Sequence, residues 1–104
     1  MRIIILILLF CNTAFASKER IFNELVRLGV DSLSAQIFTA QAALESGNFT
    51  NKLYVQHNNP FAILHSNARK CSTSLGGYGR AEGRKGYASY TSLEGATQDF
   101  LCFL

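Results

Sequence analysis

Among the seven acidic side chains of this sequence, Glu45 has the setting best suited to acid chemistry. It lies in Ala40-Gln41-Ala42-Ala43-Leu44-Glu45-Ser46-Gly47, at the C-terminal end of the most apolar helical stretch. The carbonyl end of that helix places partial negative charge nearby, and apolar neighbours disfavour ionisation, so both effects are expected to raise the carboxyl pKa. A carboxylic acid kept protonated near neutral pH is what glycoside hydrolysis uses to protonate a leaving oxygen. Read from position alone, an ordinary solvated helix glutamate is the plainer alternative.

A second carboxylate is harder to find. An inverting reaction needs a base with its carboxyl ~6.5–9.5 Å from the acid, and a retaining one a nucleophile at ~5–5.5 Å. The candidates are Glu82, Glu94 and Asp99. Glu94 is better explained by the capping box Thr91-x-x-Glu94, and Asp99 as helix surface. Glu82 sits in a glycine-rich lobe that could swing over a cleft, while assistance by a substrate N-acetyl group would need no second carboxylate.

Other chemistries find little support. No Cys-x-x-Cys occurs and His57 and His65 are eight apart, so neither a metal site nor a cofactor is expected. A formal charge of +3 permits an anionic partner, but the ten Lys and Arg form no dense block, which argues against nucleic acid. Hydrophobic residues at 48% and charged ones at 16% exclude a disordered tail, and 104 residues allow at most one small domain.

The elements that must position Glu45 follow from pattern. Arg2, the apolar run Ile3 to Phe10 and the A-x-A site Ala14-Phe15-Ala16 describe a secretory signal peptide over 1–16, too short to span a bilayer; a retained anchor is the alternative. Its removal takes Cys11 with it. Cys71 and Cys102 remain, an even pair suggesting a disulfide, with two free thiols as the alternative; closing a loop of about thirty residues contributes roughly 3–4 kcal/mol by chain entropy.

In the domain 17–104, Ile21, Phe22, Leu25, Val26 and Leu28 follow helical spacing up to Gly29. Asp31 or Ser32 caps a second helix with the stripe Leu33, Ile37, Ala40 and Leu44, Phe38 alongside, ending at Gly47. Its alanines keep the surface thin enough for another helix to approach. An irregular segment through Asn58-Asn59-Pro60 follows. Then comes a small hairpin with a basic tip at Arg80, Arg84 and Lys85, and a last helix carrying Leu93, Ala96, Phe100, Phe103 and Leu104.

Three of these segments carry a resemblance. Ala40 to Gly47, Asn58-Asn59-Pro60-Phe61-Ala62-Ile63 and Gly86-Tyr87-Ala88-Ser89-Tyr90-Thr91-Ser92 occur in an order similar to that of bacterial β-N-acetylglucosaminidase domains. These are the peptidoglycan-cleaving modules of autolysins and of the flagellar rod hydrolase. The resemblance covers nearly all of the chain from Ile21 to Phe100. It implies an α+β, mainly helical, lysozyme-like fold: a helical body with a small β-hairpin lobe over a glycan cleft. It also implies Glu45 as the catalytic glutamate, Asn59 and Phe61 as the asparagine and aromatic bordering the groove, and Tyr90 as the lobe tyrosine facing the acid.

Each carried residue also has a plainer reading. Asn59 can turn the chain before Pro60, and Phe61 can be core. Strand alternation puts Tyr87 and Tyr90 on opposite faces, so with Tyr90 facing the cleft, Tyr87 is expected to pack inward. The chain departs from the family in having Ala62 where glycine is usual, Leu64 where a basic residue often follows, and an end at Leu104 where further helix is normal. A shortened domain is therefore expected at the C-terminus. The function expected is an exported endo-β-N-acetylglucosaminidase, secreted or periplasmic in the cell envelope, cutting N-acetylglucosaminyl β-1,4 bonds. Its partner is the peptidoglycan glycan strand, and it meets the membrane through the signal segment before cleavage. A lytic transglycosylase and a noncatalytic glycan-binding module are the rivals.

Overall fold

The computed structural model describes residues 2–78 and 86–104, with side chains from Ala14 onward. The chain forms α1 (Arg2–Arg27), α2 (Ser32–Glu45), α3 (Lys52–His57), β1 (Gly77–Tyr78), β2 (Tyr87–Ala88) and α4 (Leu93–Phe103). The fold is mainly helical with one small antiparallel hairpin, in the register Gly77↔Ala88 and Tyr78↔Tyr87. Glu82, Arg80, Arg84 and Lys85 lie outside the described residues.

Helix α1 is unbroken from Arg2 to Arg27 and runs through Ala14-Phe15-Ala16. Ala14 and Ser17 are both buried against the body, and Ser17 Oγ meets the Tyr54 hydroxyl at 2.6 Å. Further along, Ile21 and Leu25 enter the core, whereas Val26 and Leu28 are exposed although they share the apolar spacing. Gly29, at φ 95°, turns the chain. Among the described residues no helix is long and apolar enough to cross a membrane.

Asp31 caps α2 by accepting from the Ser34 amide at 3.0 Å. The expected stripe of that helix is turned the other way. Leu33, Ile37 and Leu44 are 67%, 57% and 81% exposed, and the buried face is Ala35, Thr39 and Ala42, with Phe38 half-buried. Small residues let α2 lie close against its neighbours, and Thr39 disposes of its hydroxyl on the Ala35 carbonyl at 2.7 Å. Close approach, not hydropathy, decides which face turns inward.

The segment read as irregular contains a short helix, α3, capped by Asn51, whose Oδ1 accepts from the Tyr54 amide at 2.9 Å. At α4 the capping residue is Ser92, accepting from the Gly95 amide at 3.0 Å, and not Thr91. Glu94 pairs instead with Arg20 on α1 through two bonds of 3.0 and 2.8 Å, and this partner holds its carboxyl below the usual range. Cys71 and Cys102 are joined, with their Cα atoms 5.9 Å apart. The main core gathers Ile21, Leu25, Phe49, Phe61, Ile63, Leu93 and Phe100. Phe103 and Leu104, which continue the apolar pattern of the last helix, are 59% and 69% exposed.

Candidate active site

Glu45 is the last residue of α2, and the turn behind it is built by its own motif. Ser46 is fully buried; its hydroxyl accepts from the Phe49 amide at 2.8 Å and donates to the Ala43 carbonyl at 3.3 Å. Gly47 follows at φ 60°, in the left-handed region that favours glycine. Asn51 Nδ2 donates to the Glu45 carbonyl at 3.1 Å and satisfies one orphan acceptor of the helix end. The chain therefore turns away at once and leaves the Glu45 side chain exposed. That exposure corrects the apolar burial expected around the carboxyl.

The groove beside Glu45 has a volume of about 360 Å³. Gln41 and Glu45 line it from α2, Phe61 to Leu64 from the chain after α3, and Phe100 and Phe103 from α4. Phe61 and Phe100 stack with centroids 4.2 Å apart and planes 10° from parallel. Phe61 is thus both buried and on the groove wall. Aromatic walls beside a carboxylate suit a sugar ring, whose C–H faces are apolar.

The groove floor is fixed by the second motif. Asn59 is 1% exposed, and its Nδ2 donates to the carbonyls of Ile63 and Ala88, both at 2.9 Å, while its Oδ1 accepts from the Ile63 amide at 3.2 Å. It is a clamp between the groove loop and β2, so its expected place on the groove border is corrected to one behind it. Ala88 N donates to Ile63 O and His65 N to Gly86 O, both at 2.8 Å, extending the hairpin sideways onto this loop. Ala62, where the family has glycine, sits at φ 54°. The family glycine thus answers a backbone requirement of the loop.

Alternation in the third motif holds, with Tyr90 on the inward face. Gly86, Ala88 and Tyr90 are buried, while Tyr87 and Ser89 are half-buried. Tyr90 is 3% exposed, its hydroxyl is bonded to Asp99 Oδ2, and it is not on the groove wall. The cleft-facing expectation for Tyr90 is therefore corrected, while Tyr87 is half-buried and also lies off the groove wall. Burial, with the bond to Asp99 beside it, pushes the Tyr90 phenol well up from its ordinary value.

Asp99 is likewise not helix surface. It is fully buried and accepts from Arg69 Nε at 2.8 Å and Nη2 at 2.7 Å. Burial pushes its carboxyl up, but the Arg69 guanidinium and the Tyr90 hydroxyl outweigh that and hold it below the usual range. Sequence reasoning missed Ser46, Asn51 and Arg69. Ser46 lay in plain view beside Glu45, whereas nothing local marked Arg69 as the partner of a residue thirty positions on.

Comparison with characterised proteins and with solved structures finds no match. Residues 26–104 do match a family pattern described as mannosyl-glycoprotein endo-beta-N-acetylglucosaminidase. That span takes in α2 with Glu45, the Asn59 clamp, the hairpin and α4. The chain belongs to the glucosaminidase family, whose members are glycoside hydrolases acting on glycans of the peptidoglycan kind.

Proposed function

We propose that this chain is an exported endo-β-N-acetylglucosaminidase that cleaves N-acetylglucosaminyl β-1,4 bonds of peptidoglycan, with Glu45 as general acid. One observation carries the reading: among the described residues, Glu45 is the one carboxylate on the wall of the aromatic groove. Four of the other described carboxylates are engaged elsewhere. Glu94 is paired with Arg20, Glu24 with Arg27, Asp99 with Arg69, and Asp31 caps α2. Glu19 lies on the surface of α1, beside Phe22 and Ala40.

In this mechanism a glycan strand lies across Phe61, Phe100 and Phe103 and covers Glu45, so that substrate supplies the desolvation an exposed carboxyl lacks. The acid then gives its proton to the leaving oxygen. Water attacks the sugar from the other side, activated by Glu82 from the lobe or preceded by the substrate's own N-acetyl group. The net positive chain favours approach to an anionic wall polymer. The leader over 1–16 would be read and cut while extended, before residues 14–17 take their helical place.

The test is lysis of purified peptidoglycan by the wild type and by Glu45→Gln. Loss of the general acid should lower the rate by ~10²–10⁴ at unchanged fold. New reducing N-acetylglucosamine ends support hydrolysis, and 1,6-anhydro ends would mean transglycosylation. A Glu45→Gln protein keeping more than about a tenth of the activity would overturn the role of Glu45.

A further inference from the structure

Behind the groove lies a charged cluster for which the proposed chemistry has no use. Asp99 is completely buried on α4, and a buried ion pair adds little net stability over an apolar trio of the same volume. Its arrangement is nonetheless specific. Tyr90 holds Oδ2 of the carboxylate, and Arg69 takes both oxygens in a fork. The same guanidinium donates from Nη2 to the Leu64 carbonyl at 3.1 Å and lies over the Phe103 ring, 5.8 Å from its centroid. Leu64 and Phe103 are both groove wall.

We propose that Asp99 is a positioning residue for glycan binding, acting through Arg69 on Leu64 and Phe103. Asp99 fixes the plane of the guanidinium, and the guanidinium fixes a backbone carbonyl and an aromatic ring that would otherwise move independently. Tyr90 orients the carboxylate in turn. Its own backbone is held at the hairpin end, its amide donating to the His57 carbonyl and its carbonyl accepting from Asn58 Nδ2, both at 2.9 Å. The Cys71–Cys102 bond closes the Arg69 loop onto α4, so loss of the charge cluster shifts the wall without releasing the loop. The inference rests on the groove beside Glu45 being the glycan site.

The experiment measures binding of an N-acetylglucosamine tetramer in a Glu45→Gln background, with and without Asp99→Asn. A parallel measurement takes KM and kcat in the Glu45-containing proteins. Asp99→Asn should weaken tetramer binding and raise KM about threefold or more, the range of mutations that act through a contact network. Turnover at saturation should stay within about twofold. A purely structural role would lower melting temperature and the active fraction, reducing apparent kcat at unchanged KM and tetramer affinity; that result overturns the proposal. Should Asp99→Asn fail to fold, Tyr90→Phe decides, since it removes only the hydroxyl that orients the carboxylate: unchanged affinity there overturns the proposal equally. Hydrolysis surviving in Glu45→Gln, or no tetramer binding by it, instead overturns the groove reading and this inference with it.

Discussion

Replacing Asn59 with alanine tests whether this residue holds the fold or touches the sugar. The side chain is 1% exposed and makes three bonds, two as donor to Ile63 and Ala88 carbonyls and one as acceptor from the Ile63 amide. At about 0.5–1.5 kcal/mol net for each, the three together contribute roughly 1.5–4.5 kcal/mol. The Ile63 carbonyl keeps its bond from the Ala88 amide at 2.8 Å, which places the expected loss near the middle of that range, about 3 kcal/mol. For a domain of this size the melting temperature should fall by about 12 °C or more. Asn59→Asp should cost at least as much, because it keeps the acceptor but turns a carboxylate oxygen toward two carbonyls. Thermal unfolding under oxidising conditions, run beside peptidoglycan lysis below the transition, reads both effects. Stability within about 0.5 kcal/mol of wild type together with activity lost more than tenfold would refute the clamp and return Asn59 to the groove.

Ala62→Gly should stabilise the protein by about 0.5–1 kcal/mol, since relief of a left-handed alanine, roughly 1–2 kcal/mol, exceeds the extra entropy of an unfolded glycine; chemical denaturation midpoints check it. The Asp99 carboxyl titrates below the usual aspartate range in the folded chain, so the unfolded chain takes up that proton first as pH falls. Its contribution is therefore complete above about pH 5 and is lost as pH falls through about 4 toward the depressed folded value, and Asp99→Asn should flatten this acid limb of melting temperature against pH. N-terminal sequencing of the secreted product should begin at Ser17, and intact Met1 in a membrane fraction would replace the signal peptide by an anchor.

The sequence by itself determined where most of the elements lie, α3 being the exception, and much of what punctuates them. Asp31 before an apolar stretch, Gly29 and Gly47 after two others, and the glycine-rich approach to Tyr87 are local signals, and each acts within one turn of chain. The position of Glu45 at a helix end was legible for the same reason, as was the strand alternation that sets Tyr87 and Tyr90 on opposite faces. Tertiary structure decided which faces those periodicities serve. A helical stripe fixes an angle around the axis, but α2 turns Ala35, Thr39 and Ala42 inward because close packing needs small residues, leaving Leu33 and Ile37 outside. Alternation likewise fixes that Tyr87 and Tyr90 diverge, but only the buried Asp99 opposite determines which one is drawn in. Asp99 itself is tolerated in the interior because Arg69 reaches it from a distant loop, and the charge of a side chain says nothing of where its partner will fold.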